Sequence, residues 1–190
     1  MIVFLQGATH AGKSSLARML AKATGAGVLS MDLLKMGLIR SKAAGFAGLT
    51  PEDDADIEKQ LWPIVREMAL TADENGQHLV IEGVYLPFDE TAALVRQLGP
   101  SRAALFAIVH ADAYLQKHYE LICRHADNIE ARVHQEMPTL ESLLKEHAEV
   151  RRKATACGWP LIEIDTPQAW TSKIDRLEGV ASEILKALSV

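Results

Sequence analysis

Gly7-Ala8-Thr9-His10-Ala11-Gly12-Lys13-Ser14 fits the spacing G-x-x-x-x-G-K-[ST] and follows a short apolar run at residues 2–5. Each part of the pattern suits a chain of phosphates. Glycines at positions 7 and 12 let successive amide N–H groups turn toward phosphate oxygens. Lys13 has the reach to meet β- and γ-phosphates as a point charge, and the Ser14 hydroxyl is placed to ligate Mg²⁺. A helix expected over residues 13–23, with Leu16 and Leu20 on its apolar side, adds the partial positive charge of its N-terminus. An apolar strand, a glycine loop and an amphipathic helix in succession form the setting that this motif requires. Residues 7–14 therefore read as a phosphate-binding loop, with Ala8, Thr9, His10, Ala11 and Ser15 contributing main-chain contacts beside Gly7, Gly12, Lys13 and Ser14.

Working outward, apolar runs bounded by turn signals recur along the chain. They predict strands over residues 2–6, 28–30, 78–82, 103–109 and 161–164, entered through Gly25 and Gly27, Asn75-Gly76, Gly99-Pro100, and Gly158 with Pro160. Between them lie segments with apolar residues at helical spacing, such as Leu61, Val65, Met68 and Ala69, or Leu140, Leu143, Leu144 and Ala148. Strands that are nearly all apolar and alternate with helices predict an α/β fold, a parallel sheet covered on both faces. In such folds ligands bind beyond the carboxyl ends of the strands. Thr50-Pro51 predicts one helix start and Pro138-Thr139 another. The acids Glu52, Asp53, Asp54, Asp56 and Glu58 read as a solvated complement to a helix dipole rather than as a metal site.

The 190-residue length suits one domain, and 48% apolar with 24% charged residues is ordinary for a globular protein. A net charge of −5 speaks against a dedicated nucleic-acid binder. Cys123 and Cys157 are too far apart for metal-ligand spacing and read as free thiols, which places the expectation in the cytoplasm. No window resembles a membrane span or an export signal. Trp62, Trp159 and Trp170 read as packing residues, and the histidines show no familiar zinc spacing.

The residues just beyond the strands carry the remaining chemistry. Asp32 stands where a carboxylate can accept a hydroxyl proton and orient the oxygen, and equally where an aspartate caps a helix over 33–39. Glu82 ends an apolar strand, where an acid can order Mg²⁺ and its waters, and Gly83 permits close approach. Residues 117–137 contain Lys117, His118, Arg124, His125 and Arg132. They read either as a lid whose Arg124 and Arg132 fold over phosphates, or as surface charge paired with nearby acids. Lys35, Arg40 and Arg66 are candidates for an anionic acceptor, with residues 41–76 as a substrate module. Arg151 and Arg152 are weaker phosphate candidates.

Taken together, GATHAGKSS at 7–15, SMDLLKMG at 30–37 and VIEGVYL at 80–86 resemble the P-loop small-molecule kinases of the adenylate-kinase-like group. They are most similar to 2-phosphoglycerate kinase-like proteins, and more loosely to chloramphenicol phosphotransferase and zeta-toxin kinases. The resemblance implies a five-stranded parallel sheet of order 2-3-1-4-5, with helices on both faces and a lid. It implies ATP and Mg²⁺ as cofactors, catalytic roles for Lys13, Asp32, Arg124 and Arg132, metal contacts from Ser14 and Glu82, and an adenine site lined by Asp165, Thr166 and Pro167. Relatives often carry D-x-D after the second strand, whereas here Ser30 takes the first position. Two other readings stay open: a nucleoside monophosphate kinase, and a nucleotide-dependent switch. The switch reading lacks an N-K-x-D motif and a D-x-x-G after the third strand.

Overall fold

The computed structural model describes residues 1–124, 138–165 and 170–187, with side chains over 177–186 in the last span. Five strands form one sheet: β1 (Ile2–Gly7), β2 (Gly27–Ser30), β3 (Leu79–Glu82), β4 (Ala103–His110) and β5 (Leu161–Ile164). Their order is β2-β3-β1-β4-β5, and each adjacent pair is parallel. Each strand lies within a residue of its predicted span. The helices are α1 (Lys13–Thr24), α2 (Met31–Arg40), α3 (Asp54–Glu74), α4 (Phe88–Leu98), α5 (Asp112–Arg124), α6 (Leu140–Ala156) and α7 (Trp170–Ala187).

Alternation along β1 explains the layers. Ile2 and Phe4 face one buried cluster with Ile57, Leu61 and Val65 of α3 and with Leu94 and Leu98 of α4. Val3 and Leu5 face another, with Leu16 and Leu20 of α1, Leu115 of α5 and Val180 and Ile184 of α7. The whole of β1 is buried, as a central strand covered on both faces must be.

The register sets the working edge. Leu5 pairs with Glu82, and Glu82 with Ser30. The chain leaves β1, β3 and β2 at nearly the same level, so residues 7–14, Gly83 and the start of α2 emerge along one rim.

One helix boundary departs from expectation. The Thr50-Pro51 start lies too early, because α3 begins at Asp54. Thr50 donates its N–H and its hydroxyl to Asp53 Oδ2, at 2.6 and 3.0 Å. The Asp53 carboxylate thus closes a turn around Pro51, and its pKa is held below the ordinary value by those bonds, the backbone one first. At the other predicted start, Thr139 does cap α6, its Oγ1 accepting from Ser142 N–H at 3.1 Å. Met68 and Ala148, assigned to apolar faces, are exposed; in α6 the buried face is Leu143, His147, Val150 and Ala154. Both cysteines are free thiols. Trp62 and Trp159 are buried, and Trp159 donates its indole N–H to the Phe88 carbonyl at 3.1 Å. The Trp170 side chain lies outside the described ones.

Candidate active site

Between β1 and α1 the loop turns through two left-handed residues, His10 (φ 60°) and Gly12 (φ 102°). Gly12 sits at the N-cap of α1 and supplies no side-chain acceptor to its first turn. A helix N-terminus with no side-chain cap fits a phosphate tail. Gly7 serves packing as much as turning. A Cβ there would stand 2.3 Å from the carbonyl oxygen of Ile108. Lys13 is buried, and its Nζ donates to the carbonyls of Gly7 (3.0 Å) and Ala8 (2.9 Å). The ammonium therefore lies folded across the loop's own entrance. Ser14 and Ser15 are half-buried at the start of α1.

Helix α6 holds the loop from the side. Glu146 Oε1 accepts from the Thr9 N–H at 2.7 Å and from the Thr9 hydroxyl at 2.9 Å. The adjoining His147 is fully buried. Its Nδ1 accepts from the His110 N–H at 2.8 Å, so the ring proton sits on Nε2, which faces the Thr9 carbonyl at 3.2 Å. His147 also stacks on His110, with ring centroids 5.2 Å apart. Tyr114 continues the row against His110, and burial pushes its phenol pKa up. Sequence reading missed both α6 residues. One signal was available: 143, 147, 150 and 154 form a helical stripe in which a histidine is the polar exception.

The second strand's aspartate finds a partner other than the cap. Ser30 occupies the N-cap of α2 and Asp32 falls in the first turn, so Asp32 does not cap that helix. Its carboxylate instead pairs with Lys35, one turn on, at 3.4 Å. Lys35 is buried; its Nζ donates to the Tyr85 hydroxyl at 2.9 Å and lies 4.9 Å from that ring's centroid. The Tyr85 hydroxyl in turn donates to Asp54 Oδ1 at 2.7 Å. A chain Asp32–Lys35–Tyr85–Asp54 thus links α2, the segment after β3 and α3. Asp54 departs from the expectation of a purely solvated acidic run. Tyr85 belongs to the VIEGVYL stretch that carries part of the resemblance, but the sequence reading gave it no role.

Glu82 is buried at the end of β3. Gly83 does permit close approach, and the approaching group is Met31: a Cβ on Gly83 would stand 2.6 Å from the Met31 Cβ. Arg40 is exposed in the last turn of α2, and Arg66 pairs with its neighbour Glu67 on α3. Arg124, at the end of α5, is exposed and lies 3.5 Å from Glu120. Arg132 and the remainder of the expected lid, residues 125–137, lie outside the described residues, as do Thr166 and Pro167. Asp165 is exposed just beyond β5. Arg151 is engaged by Glu163 and the His110 carbonyl, and Arg152 by Glu149, which leaves both occupied within the fold. Among the described residues, no three of His, Cys, Asp and Glu gather as a metal cluster.

No protein-family model and no curated protein matches the chain. Solved structures do. A shikimate kinase from Bacteroides thetaiotaomicron superposes over 100% of this chain and 99% of its own, with TM-score 0.60 at 12% identity. The fold is that of the P-loop small-molecule kinases. A gluconokinase from Sinorhizobium meliloti 1021 covers 98% of this chain and 94% of its own, with TM-score 0.54 and 16% identity. A shikimate kinase from Aquifex aeolicus covers 100% and 96%, with TM-score 0.54 and 16% identity. The strand order implied by the sequence resemblance is the one observed in the sheet. At such identities the likeness concerns architecture, and chemistry has to be argued from the rim itself.

Proposed function

We propose that this protein is an ATP- and Mg²⁺-dependent phosphotransferase that moves the γ-phosphate to a hydroxyl of a small metabolite. The observation that carries the reading is the shared rim. The Leu5–Glu82–Ser30 register starts the phosphate loop and the Asp32–Lys35 pair from one level of the sheet. The kinase structures that share the fold support it.

Phosphoryl transfer asks mainly for positioning and charge stabilisation. Lys13 exchanges its loop carbonyls for phosphate oxygens and offsets their charge. Asp32 accepts the hydroxyl proton and aims the oxygen, and the pairing with Lys35 orients that carboxylate. Ser14 and Glu82, with water, would hold Mg²⁺, which would supply Lewis-acid stabilisation of the phosphoryl charge. Arg124 and Arg132 belong to a lid over residues 117–137 that excludes water. Asp165 and Thr166 belong to the adenine side. Residues 41–76 form the acceptor module with Lys35, Arg40 and Arg66. The cytoplasm suits its two free thiols, and no helix among the described residues is long and apolar enough to cross a membrane.

ADP release measured over a panel of small polyols, hydroxy acids and nucleoside monophosphates tests the reading and separates metabolite kinases from nucleotide kinases. Lys13→Ala should abolish transfer and weaken ATP binding by at least about tenfold, the scale of one lost charge-assisted contact set. Asp32→Asn should abolish transfer while ATP binding stays near the parental value. Normal turnover in Asp32→Asn would refute the role given to that carboxylate.

A further inference from the structure

The Ala8–Thr9 peptide is gripped at both ends by charge. Its carbonyl accepts from the Lys13 ammonium at 2.9 Å, and its amide donates to Glu146 Oε1 at 2.7 Å. The same carboxylate oxygen takes the Thr9 hydroxyl at 2.9 Å. A carboxylate seated on one N–H and one O–H is held as an anion is held, by donors that the loop otherwise turns toward phosphate.

The placement is not that of a wandering surface side chain. Next to Glu146 on α6, buried His147 is tied to the His110 amide and faces the Thr9 carbonyl. Those contacts bind α6 to the end of β4 and to the loop at once, and so fix the height from which Glu146 reaches Thr9. The peptide it holds is the one on which Lys13 rests, and Lys13 in this motif meets the β- and γ-phosphates. The terminal phosphoryl group and the Glu146 carboxylate therefore compete for one place, and as like charges they repel.

From this geometry we infer that Glu146 is a specificity-determining residue of the loop. It is a built-in anion on the Thr9 donors, which the terminal phosphoryl of a nucleoside triphosphate must displace and a diphosphate need not. The inference rests on the loop being a nucleotide site, as proposed above. Glu146 then narrows the affinity gap between substrate and product nucleotides and clears the Thr9 donors only when a third phosphate arrives.

Calorimetric titration of the full chain with ATP and with ADP, each with Mg²⁺, tests this. Glu146→Gln keeps the shape and removes the charge. It should tighten ATP roughly tenfold, the order expected for relieving one close like-charge contact, and leave ADP within about twofold. Glu146→Ala, which also removes the brace on Thr9, should show the same selective gain. Unchanged or weaker ATP binding in both variants, or equal gains for ATP and ADP, would overturn the role of Glu146 while leaving the site reading intact. Absence of binding of either nucleotide to the parent protein would overturn the site reading, and this inference with it.

Discussion

A methyl group on Gly7 would meet backbone, the Ile108 carbonyl oxygen at 2.3 Å, besides the Ile108 Cγ2 at 2.6 Å. Neither can swing aside, because Ile108 is Gly7's own register partner in β4. Gly7→Ala must therefore part the two strands exactly where the loop departs. We expect a loss of about 1–3 kcal/mol in urea unfolding, as for other overpacked positions, together with loss of nucleotide binding. Glu58 makes a different prediction. Burial is the first cause that raises its carboxyl pKa; Glu90 and Asp54 add to it, and Lys153 opposes. An acid with a raised native pKa binds its proton more tightly folded than unfolded. Stability from this group is thus full below the ordinary carboxylate range and is lost as pH rises through the raised native value. Thermal melts should find Glu58→Gln more stable than the parent near pH 7 and equal to it near about pH 3, where both forms are neutral. Legibility at this scale followed locality. The eight loop residues declare themselves because their chemistry and spacing are contiguous. Glu146 and His147 act on Thr9 across 137 and 138 positions, and only folding brings them there.

Elements were more readable than their ends. All five strands are apolar runs between turn residues, and the parallel sheet needs little else to declare itself. The start of α3 was misread because Thr50-Pro51 carries a helix-opening signature that the nearby Asp53 carboxylate outcompetes. The face of α6 was misread by one position, since an alanine at 148 looks apolar while a buried histidine at 147 does not. Helix α3 also contains Pro63, exposed and nine residues from its first turn's Asp54. Proline there withholds an N–H from the helical ladder and crowds the preceding turn. Pro63→Ala should stabilise the protein by about 1–3 kcal/mol in denaturant unfolding, on helix-propensity grounds. A loss of stability instead would mean that the packing of α3 depends on the proline ring.

Among the described residues, the two buried clusters meet through the sheet, where alternate residues of β1, β3 and β4 belong to each. The neighbours of β1 in the sheet are β3 and β4, which start at Leu79 and Ala103. The strand order thus joins the beginning of the chain to its middle, a pattern of distant contacts that slows folding. A fragment ending at residue 78 has β1 and β2 but neither strand that could sit between or beside them. It should give no cooperative unfolding transition by circular dichroism. The same topology has a consequence during synthesis. Translation delivers the Ile-Val-Phe-Leu run of β1 before either of its sheet partners, and on the ribosome it has no sheet to enter until some seventy further residues have been made. Through that interval an oily segment waits beside the exit tunnel, at risk of joining other nascent chains. A holding chaperone would therefore find its client here in a strand that the finished fold encloses completely.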